Sequence, residues 1–202
     1  MVRTIFIFVI YFIGCGGPVT EIAPALQSKN YPNLFDKYVS CSGRGKIDLY
    51  GPINGSMSFL YMSQRDSSFF QFKDHLGRKV LLMWITPHSV SVRNLIENKQ
   101  YTYDKILDFF PFLQIVEPND ITKFLWGIQP DYLEKLNYVD RSDSVNIVLQ
   151  FDYGHLETEN QELVKVKFHD GKSNQTVSIK IKKRIRDQSH IDMNKLWNFQ
   201  HS

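Results

Sequence analysis

The sequence predicts a mainly β (α+β) fold, an incomplete antiparallel β-barrel of about ten to eleven strands with short helices as a lid over an apolar space, which is either filled core or a ligand cavity. Three observations lead there. Aromatic residues make up 14% of the 202, with fifteen Phe and ten Tyr, a composition that suits pleated, half-buried surfaces. Short apolar runs recur at roughly ten-residue spacing between polar turns, the signature of an antiparallel meander. Midway, two short apolar helical patterns interrupt the strands and have no place inside a meander, so they must pack over one of its faces.

The chain opens differently from the rest. Arg3 precedes an unbroken apolar run from Ile5 to Ile13, closed by Gly14 and Cys15. As a helix this run would cross only about half of a ~30 Å hydrocarbon core, so residues 1–14 read as a secretory signal and not as a membrane span. The small residue before Cys15 looks like a bacterial lipobox, with Phe12 where Leu is usual three positions before the cysteine. Cys15 is therefore the expected lipidation site, and membrane lipid a partner through its acyl chains. Cys41 is then left as a lone thiol; a Cys15–Cys41 disulfide is the competing reading, and both stay open at this point. Residues 15–37, with Gly16, Gly17, Pro18, Pro24 and Pro32, read as a lipidated tether with a short helix near Leu34 and Phe35, leading into one domain over residues 38–202.

Within that domain Ile47 and Leu49 alternate with Lys46, Asp48 and Tyr50, and the Gly51-Pro52 to Asn54-Gly55 stretch turns the chain into Met57–Met62. Phe69–Phe72 and Val80–Ile85 flank the turn Asp74-His75-Leu76-Gly77, and Pro87-His88 leads to Val90 and Val92. Thr102 is placed to cap a helix running through Ile106 and Phe110 to Pro111. A second helix starts after Pro118, with Asn119 or Asp120 near its cap, Ile121, Phe124 and Leu125 on one face, and Gly127 where a left-handed terminal residue is wanted. Strands resume at Tyr132–Val139, Val145–Phe151 and Leu163–Phe168. In the strand that follows these, Val177, Ile179, Ile181 and Ile185 alternate with Lys180, Lys182 and Arg184, which predicts one apolar and one basic face. Ile191–Phe199 adds a terminal helix or strand.

Residues 35–127 resemble the LolA/LolB lipoprotein-localisation family. The resemblance runs through Tyr38 and Gly43-Arg44-Gly45, Phe69-Gln71-Phe72, the Leu76-Gly77 hairpin, Val90-Ser91-Val92, the Thr102 helix and Ile121-Thr122-Lys123-Phe124-Leu125-Trp126-Gly127. It implies a half-barrel whose cavity takes up the acyl chains of lipoproteins passed on by a periplasmic carrier of LolA type, in a monomer lipid-anchored at the periplasmic face of the outer membrane. With the family register, strand alternation puts Phe59, Phe70, Phe72, Leu81, Met83, Val90 and Val92 on the cavity side. The fourth strand is ambiguous by itself, since Leu82 and Trp84 are as apolar as Leu81, Met83 and Ile85. The resemblance also implies a protruding loop whose exposed Leu assists delivery into the membrane; Leu76 holds that position, with His75 where the family has Pro. Read from its residues alone, Leu76 is either such a tip or a cap on the core. A lipid- or protein-binding structural or regulatory lipoprotein, with the same half-barrel and no transfer activity, is the alternative function.

Other chemistry is not indicated. The six His have no metal-ligand spacing, and there is neither a Gly-x-Ser-x-Gly nor a Cys-x-x-Cys motif, so no enzyme, metal or cofactor is expected. The cluster Lys180, Lys182, Lys183, Arg184 and Arg186 lacks interleaved aromatics and does not read as a nucleic-acid site. It is open to two readings, a solvated strand face or a surface for anionic headgroups. The Cys15 assignment has a direct check: wild-type protein incorporates radioactive palmitate and Cys15→Ser does not, and an unlabelled wild type refutes lipidation.

Overall fold

The computed structural model describes residues 34–64, 67–103, 105–106, 116–130, 147–156 and 161–201. Among them nine strands form one antiparallel sheet: β1 (Ser40–Tyr50), β2 (Gly55–Gln64), β3 (Ser67–Lys73), β4 (Lys79–Thr86), β5 (Ser89–Asn94), β6 (Lys99–Tyr101), β7 (Ile147–Gly154), β8 (Glu162–Asp170) and β9 (Gln175–Asp187). Their order is β6-β5-β4-β3-β2-β1-β9-β8-β7, so the sheet stays open between β6 and β7, an incomplete barrel. Among the described residues three helices accompany it: α1 (Leu34–Lys37), α2 (Pro118–Trp126) and α3 (Met193–His201). The β6 strand, three residues long, is too short to show alternation in sequence. The signal segment, Cys15, most of the Thr102 helix and the strand expected at Tyr132–Val139 lie outside the described residues.

Both faces of the sheet bury apolar side chains. The inner face carries a cluster that includes Leu49, Phe59, Tyr61, Phe70, Phe72, Val90, Val92, Val166, Phe168, Val177 and Ile181, roofed by Phe124, Leu125 and Trp126 of α2. The outer face carries a smaller one, Phe69, Leu82 and Trp84, on which Met193 and Leu196 of α3 pack. This resolves the ambiguity of β4. It is apolar on both parities because it is covered on both sides, by the inner core and by the C-terminal helix.

α2 begins at Pro118, with Glu117 and not Asn119 or Asp120 at the cap position. Proline at the first helical position costs no hydrogen bond, because that N–H has no partner within the helix. Asp120 instead reaches back, its Oδ2 accepting from the Glu117 N–H at 3.2 Å. At the other end Gly127 is left-handed, with φ of 85°, and the helix closes with Gly127 N–H to Phe124 O at 3.0 Å and Ile128 N–H to Lys123 O at 2.9 Å.

The structure corrects the reading of β9. Gly45 pairs with Ile181 but Arg44 pairs with Lys183, so Lys182 is an extra residue in the ladder, a β-bulge. One inserted residue reverses the parity of everything beyond it. Val177 and Ile181 stay inside, whereas Ile185, expected on the apolar face, is 43% exposed. Arg184, expected on the solvated basic face, is buried. Its Nη1 donates to Glu162 Oε2 at 2.7 Å, its Nη2 to the carbonyls of Phe124 at 3.1 Å and Leu163 at 2.8 Å, and its Nε to the carbonyl of Leu125 at 2.6 Å. Arg186 serves the Trp126 carbonyl through Nη2 at 2.7 Å and Glu162 Oε1 through Nη1 at 2.9 Å. Two guanidinium groups thus satisfy the C-terminal carbonyls of α2, which have no partner within the helix and favour a nearby cation.

Burial pulls the Glu162 carboxyl toward its neutral form, but the hydrogen bonds from Arg186 and Arg184 prevail and hold it below its ordinary value. A carboxylate held low in the folded state contributes stability above its unfolded value, lost as the pH falls through the folded one. Arg184→Met, which leaves Glu162 to Arg186 alone and removes the buried donor from the Phe124, Leu125 and Leu163 carbonyls, should therefore cost about 3–5 kcal/mol in denaturant unfolding at neutral pH. Glu162→Gln should melt lower than wild type at pH 7, and the gap should close below the ordinary carboxylate value of 4.5. A gap that does not change with pH would separate the stability of this ion cluster from its charge.

Candidate functional site

The inner face is the candidate site, and its register follows from β2 and β3. Phe59 pairs with Phe72 and Tyr61 with Phe70; Phe70 pairs with Met83 and Phe72 with Leu81; Met83 pairs with Val92 and Ile85 with Val90. Phe59, Phe70, Phe72, Leu81, Met83, Val90 and Val92 therefore share one face, all within the inner cluster. Phe59 lies 5.5 Å from Phe70 and 5.7 Å from Phe72 between ring centroids, and Phe70 stacks on Phe72 at 5.8 Å. Such offset ring contacts add to the burial of apolar area. Leu81 and Met83, like Ile47, Met57, Leu149 and Phe151, stay half-buried at the margin of this cluster.

Glycine makes room for these rings. A Cβ on Gly43 would sit 2.1 Å from the Lys183 carbonyl oxygen and 2.7 Å from the Tyr61 hydroxyl, and one on Gly45 would sit 2.3 Å from the Phe59 ring. The Gly43-Arg44-Gly45 stretch thus lets Phe59 and Tyr61 lie flat over β1 beside the bulge.

A buried polar chain fixes α2 across the face. The Trp126 indole N–H donates to Ser63 Oγ at 2.9 Å, Ser63 Oγ meets Ser68 Oγ at 2.8 Å, and Ser68 Oγ meets Thr122 Oγ1 at 3.1 Å. Beside it the Leu125 carbonyl accepts from the Tyr61 hydroxyl at 3.4 Å and from the Cys41 thiol at 3.6 Å. Phe35 of α1 closes over Trp126, with ring centroids 4.7 Å apart. Every one of these polar groups is buried, so each must find a partner inside the protein. Sequence reasoning passed over Ser63 and Tyr61 and read Cys41 only as a lone thiol or a disulfide partner, although Ser63 falls on the same parity as Phe59 and Tyr61. A serine among apolar partners on one face was the available signal for a polar latch.

Leu76 sits outside this cluster, at the tip of the β3–β4 turn, 66% exposed. Asp74 organises the turn: its Oδ1 accepts from the N–H groups of Leu76 and Arg78, both at 2.9 Å. Its Oδ2 accepts from Arg78 Nε at 2.7 Å, and Gly77 takes φ of 78°. Hydrogen bonding to Arg78 outweighs the opposing pull of desolvation and holds the Asp74 carboxyl below its ordinary value. The Asp74 brace sets the loop's shape where a proline was expected, and the tip residue points away from the core.

A groove of about 470 Å³ is lined by Arg44, Leu60, Met62, Lys183 and Ile191 among others, and the phenylalanine rings do not line it. Among the described residues no group of His, Cys, Asp and Glu could hold a metal ion, and no helix is long and apolar enough to cross a membrane. Cys41 is a free, buried thiol. Burial pushes it up to about 11, against the opposing pull of Arg184 and Tyr61. With the thiolate disfavoured and the sulfur out of reach, Cys41 should not react with Ellman's reagent in folded protein at pH 8 and should react fully in guanidinium. Rapid reaction of the folded protein would show that α2 does not seal this region.

No family model matches the chain, and no curated protein sequence matches it. Solved structures do. The chain is similar to a domain named for outer-membrane lipoprotein sorting from Vibrio parahaemolyticus, with a TM-score of 0.57 over 81% of this chain and 92% of that one, at 10% identity. It is also similar to a DUF1329 family protein from Desulfovibrio piger, with a TM-score of 0.55 over 78% and 90% of the two chains, at 12% identity. At these identities the likeness is one of fold alone.

Proposed function

We propose that the protein takes up acyl chains of lipoproteins along its inner face, receives them from a periplasmic carrier, and delivers them to the outer membrane through the Leu76 hairpin. An acylated Cys15 would hold it at the periplasmic side of that membrane. The observation that carries this reading is the braced hairpin. A large aliphatic side chain is held out in water by a rigid polar scaffold, a cost to the free protein that contact with a lipid surface relieves. The apolar lining supports it, since an acyl chain needs dispersion contacts and no hydrogen bonds, and the half-buried Leu81, Met83, Ile47 and Met57 offer them at the margin of the core. The likeness to a lipoprotein-sorting domain supports it further.

A second reading is favoured by one specific feature. Phe59, Phe70 and Phe72 are packed ring on ring and nearly inaccessible, as in a filled core. On that reading the same half-barrel serves as a binding or structural lipoprotein without transfer. Mass spectrometry of acyl ligands retained by the purified protein separates the two.

Transfer itself is tested at Leu76. Moving an exposed Leu out of water is worth about 2 kcal/mol, and a carboxylate at the same place is penalised. Leu76→Glu should leave the melting temperature unchanged, because the side chain supports no core, and should abolish lipoprotein incorporation into outer-membrane vesicles. Full activity of the variant would remove Leu76 from the mechanism.

A further inference from the structure

The register of the sheet places four turns at one end of the barrel: residues 51–54 between β1 and β2, 74–78 between β3 and β4, 95–98 between β5 and β6, and 171–174 between β8 and β9. Three of these tips each hold a single large aliphatic side chain in solvent. Ile53 is 41% exposed, Leu76 66% and Ile96 71%. The fourth, which contains Lys172 and Ser173, has none.

The three apolar tips are built on one plan with different parts. Gln175 braces the first, donating to the carbonyls of Tyr50 and Ile53 at 3.1 and 2.9 Å and accepting from the Ile53 N–H at 2.9 Å. Asp74 braces the second. Asn94 braces the third, its Oδ1 accepting from the N–H groups of Ile96 at 2.9 Å and Glu97 at 3.2 Å. In each, a polar side chain satisfies turn backbone that water would otherwise serve. A tip whose backbone is paired internally can leave water without stranding a donor, which is the condition for entering an apolar medium.

The strand ends below them are staggered in one direction across the sheet. One cross-strand row runs Gly45, Phe59, Phe72, Leu81, Asn94. β5 ends in that row, β3 runs one residue beyond it, and β1 runs on for five, to Tyr50. A climb of about 17 Å across four strand spacings of ~4.8 Å is a slope of about 40°, the tilt that strands take in a barrel. A barrel tilt of that size and of the matching sense would level the strand ends and bring the tips toward one rim.

We propose that Ile53, Leu76 and Ile96 form a three-point apolar edge that seats the rim of the half-barrel in the interfacial region of a lipid bilayer. This rests on the membrane-delivery reading of Leu76 and extends it from a single loop to an edge that fixes orientation. One inserted side chain leaves the protein free to swivel about it. Three points in a line hold the rim parallel to the surface, with the α2 latch at the opposite end of the sheet.

The test uses the full chain carrying Cys15→Ser, so that an environment-sensitive NBD label goes to one introduced thiol while buried Cys41 stays unmodified. Labels are placed by Ile53→Cys, Leu76→Cys, Ile96→Cys and, on the outer face near the latch end, Ile185→Cys. Vesicles of phosphatidylethanolamine and phosphatidylglycerol are then added. The expected result is a severalfold rise and blue shift of emission at positions 53, 76 and 96, quenched by nitroxide-bearing lipid, with no change at 185. Silence at either isoleucine overturns the edge. If position 76 still responds, the single-loop reading survives; silence at 76 overturns both. An equal response at 185 marks general adsorption and overturns the edge as well.

Discussion

A helix laid across the inner face of a sheet ends in carbonyl groups that water cannot reach, and meeting that demand organises the rest of this structure. The C-terminal end of α2 is served by Arg184 and Arg186, and one of their two charges is balanced by Glu162 from the neighbouring strand. For the arginines to face inward at all, β9 must change parity, which the bulge at Lys182 accomplishes. For the guanidinium groups to come close, the residue after the helix must lack a side chain. A Cβ on Gly127 would stand 2.8 Å from Arg186 and 2.9 Å from Arg184, and the left-handed backbone there favours glycine for a second reason. Helix end, bulge, glycine and carboxylate are four consequences of one unsatisfied set of acceptors.

How far this was legible in the sequence depends on which residues speak locally. Period-two alternation in β1 to β5 placed Phe59, Phe70 and Phe72 on one face, because each of those strands is regular through its apolar stretch. Gly127 announced the end of α2 because few residues but glycine accept its conformation. The β9 strand misled, since alternation assumes an uninterrupted ladder and a bulge breaks it. The trace was present in the gap from Ile181 to Ile185, four residues where the earlier apolar positions are two apart, filled by Lys182, Lys183 and Arg184. A break of that kind can equally mark a strand end, and only the pairing partner tells them apart. The polar latch of Ser63, Ser68 and Thr122 was harder still, because it joins two strands to a helix about 60 residues away and no local pattern carries it.

The two-sided burial of β4 shows the same limit from another direction. A strand apolar on both parities is ambiguous until something is found to cover its second face. Here the cover is α3, whose Trp197 meets Trp84 edge-on at 5.1 Å and whose Phe199 approaches Phe69 at 6.5 Å. The C-terminal helix is thus part of the packed domain and lies on the side opposite the candidate site. That leaves the inner face, among the described helices, to α2 and to α1, whose Phe35 closes over Trp126.

The pairing of β1 with β9 has a consequence for the order in which the molecule can assemble. The strands from β1 to β6 are joined hairpin to hairpin and can zip together from contacts near in sequence, whereas β1 meets β9 only across most of the chain, with Ser40 opposite Asp187. Long-range pairings of this type close late, since the loop entropy must be overcome before any contact compensates for it. A chain emerging from its N-terminus therefore completes the six-stranded meander, with one flank of β1 unpaired, before Arg184 exists to fasten α2. During that interval the phenylalanine face is formed and uncovered, the state in which exposed apolar surface and a free strand edge invite association with other chains. The fold thus ties maturation of the apolar face to arrival of the last strand, and a holding factor would have its work there.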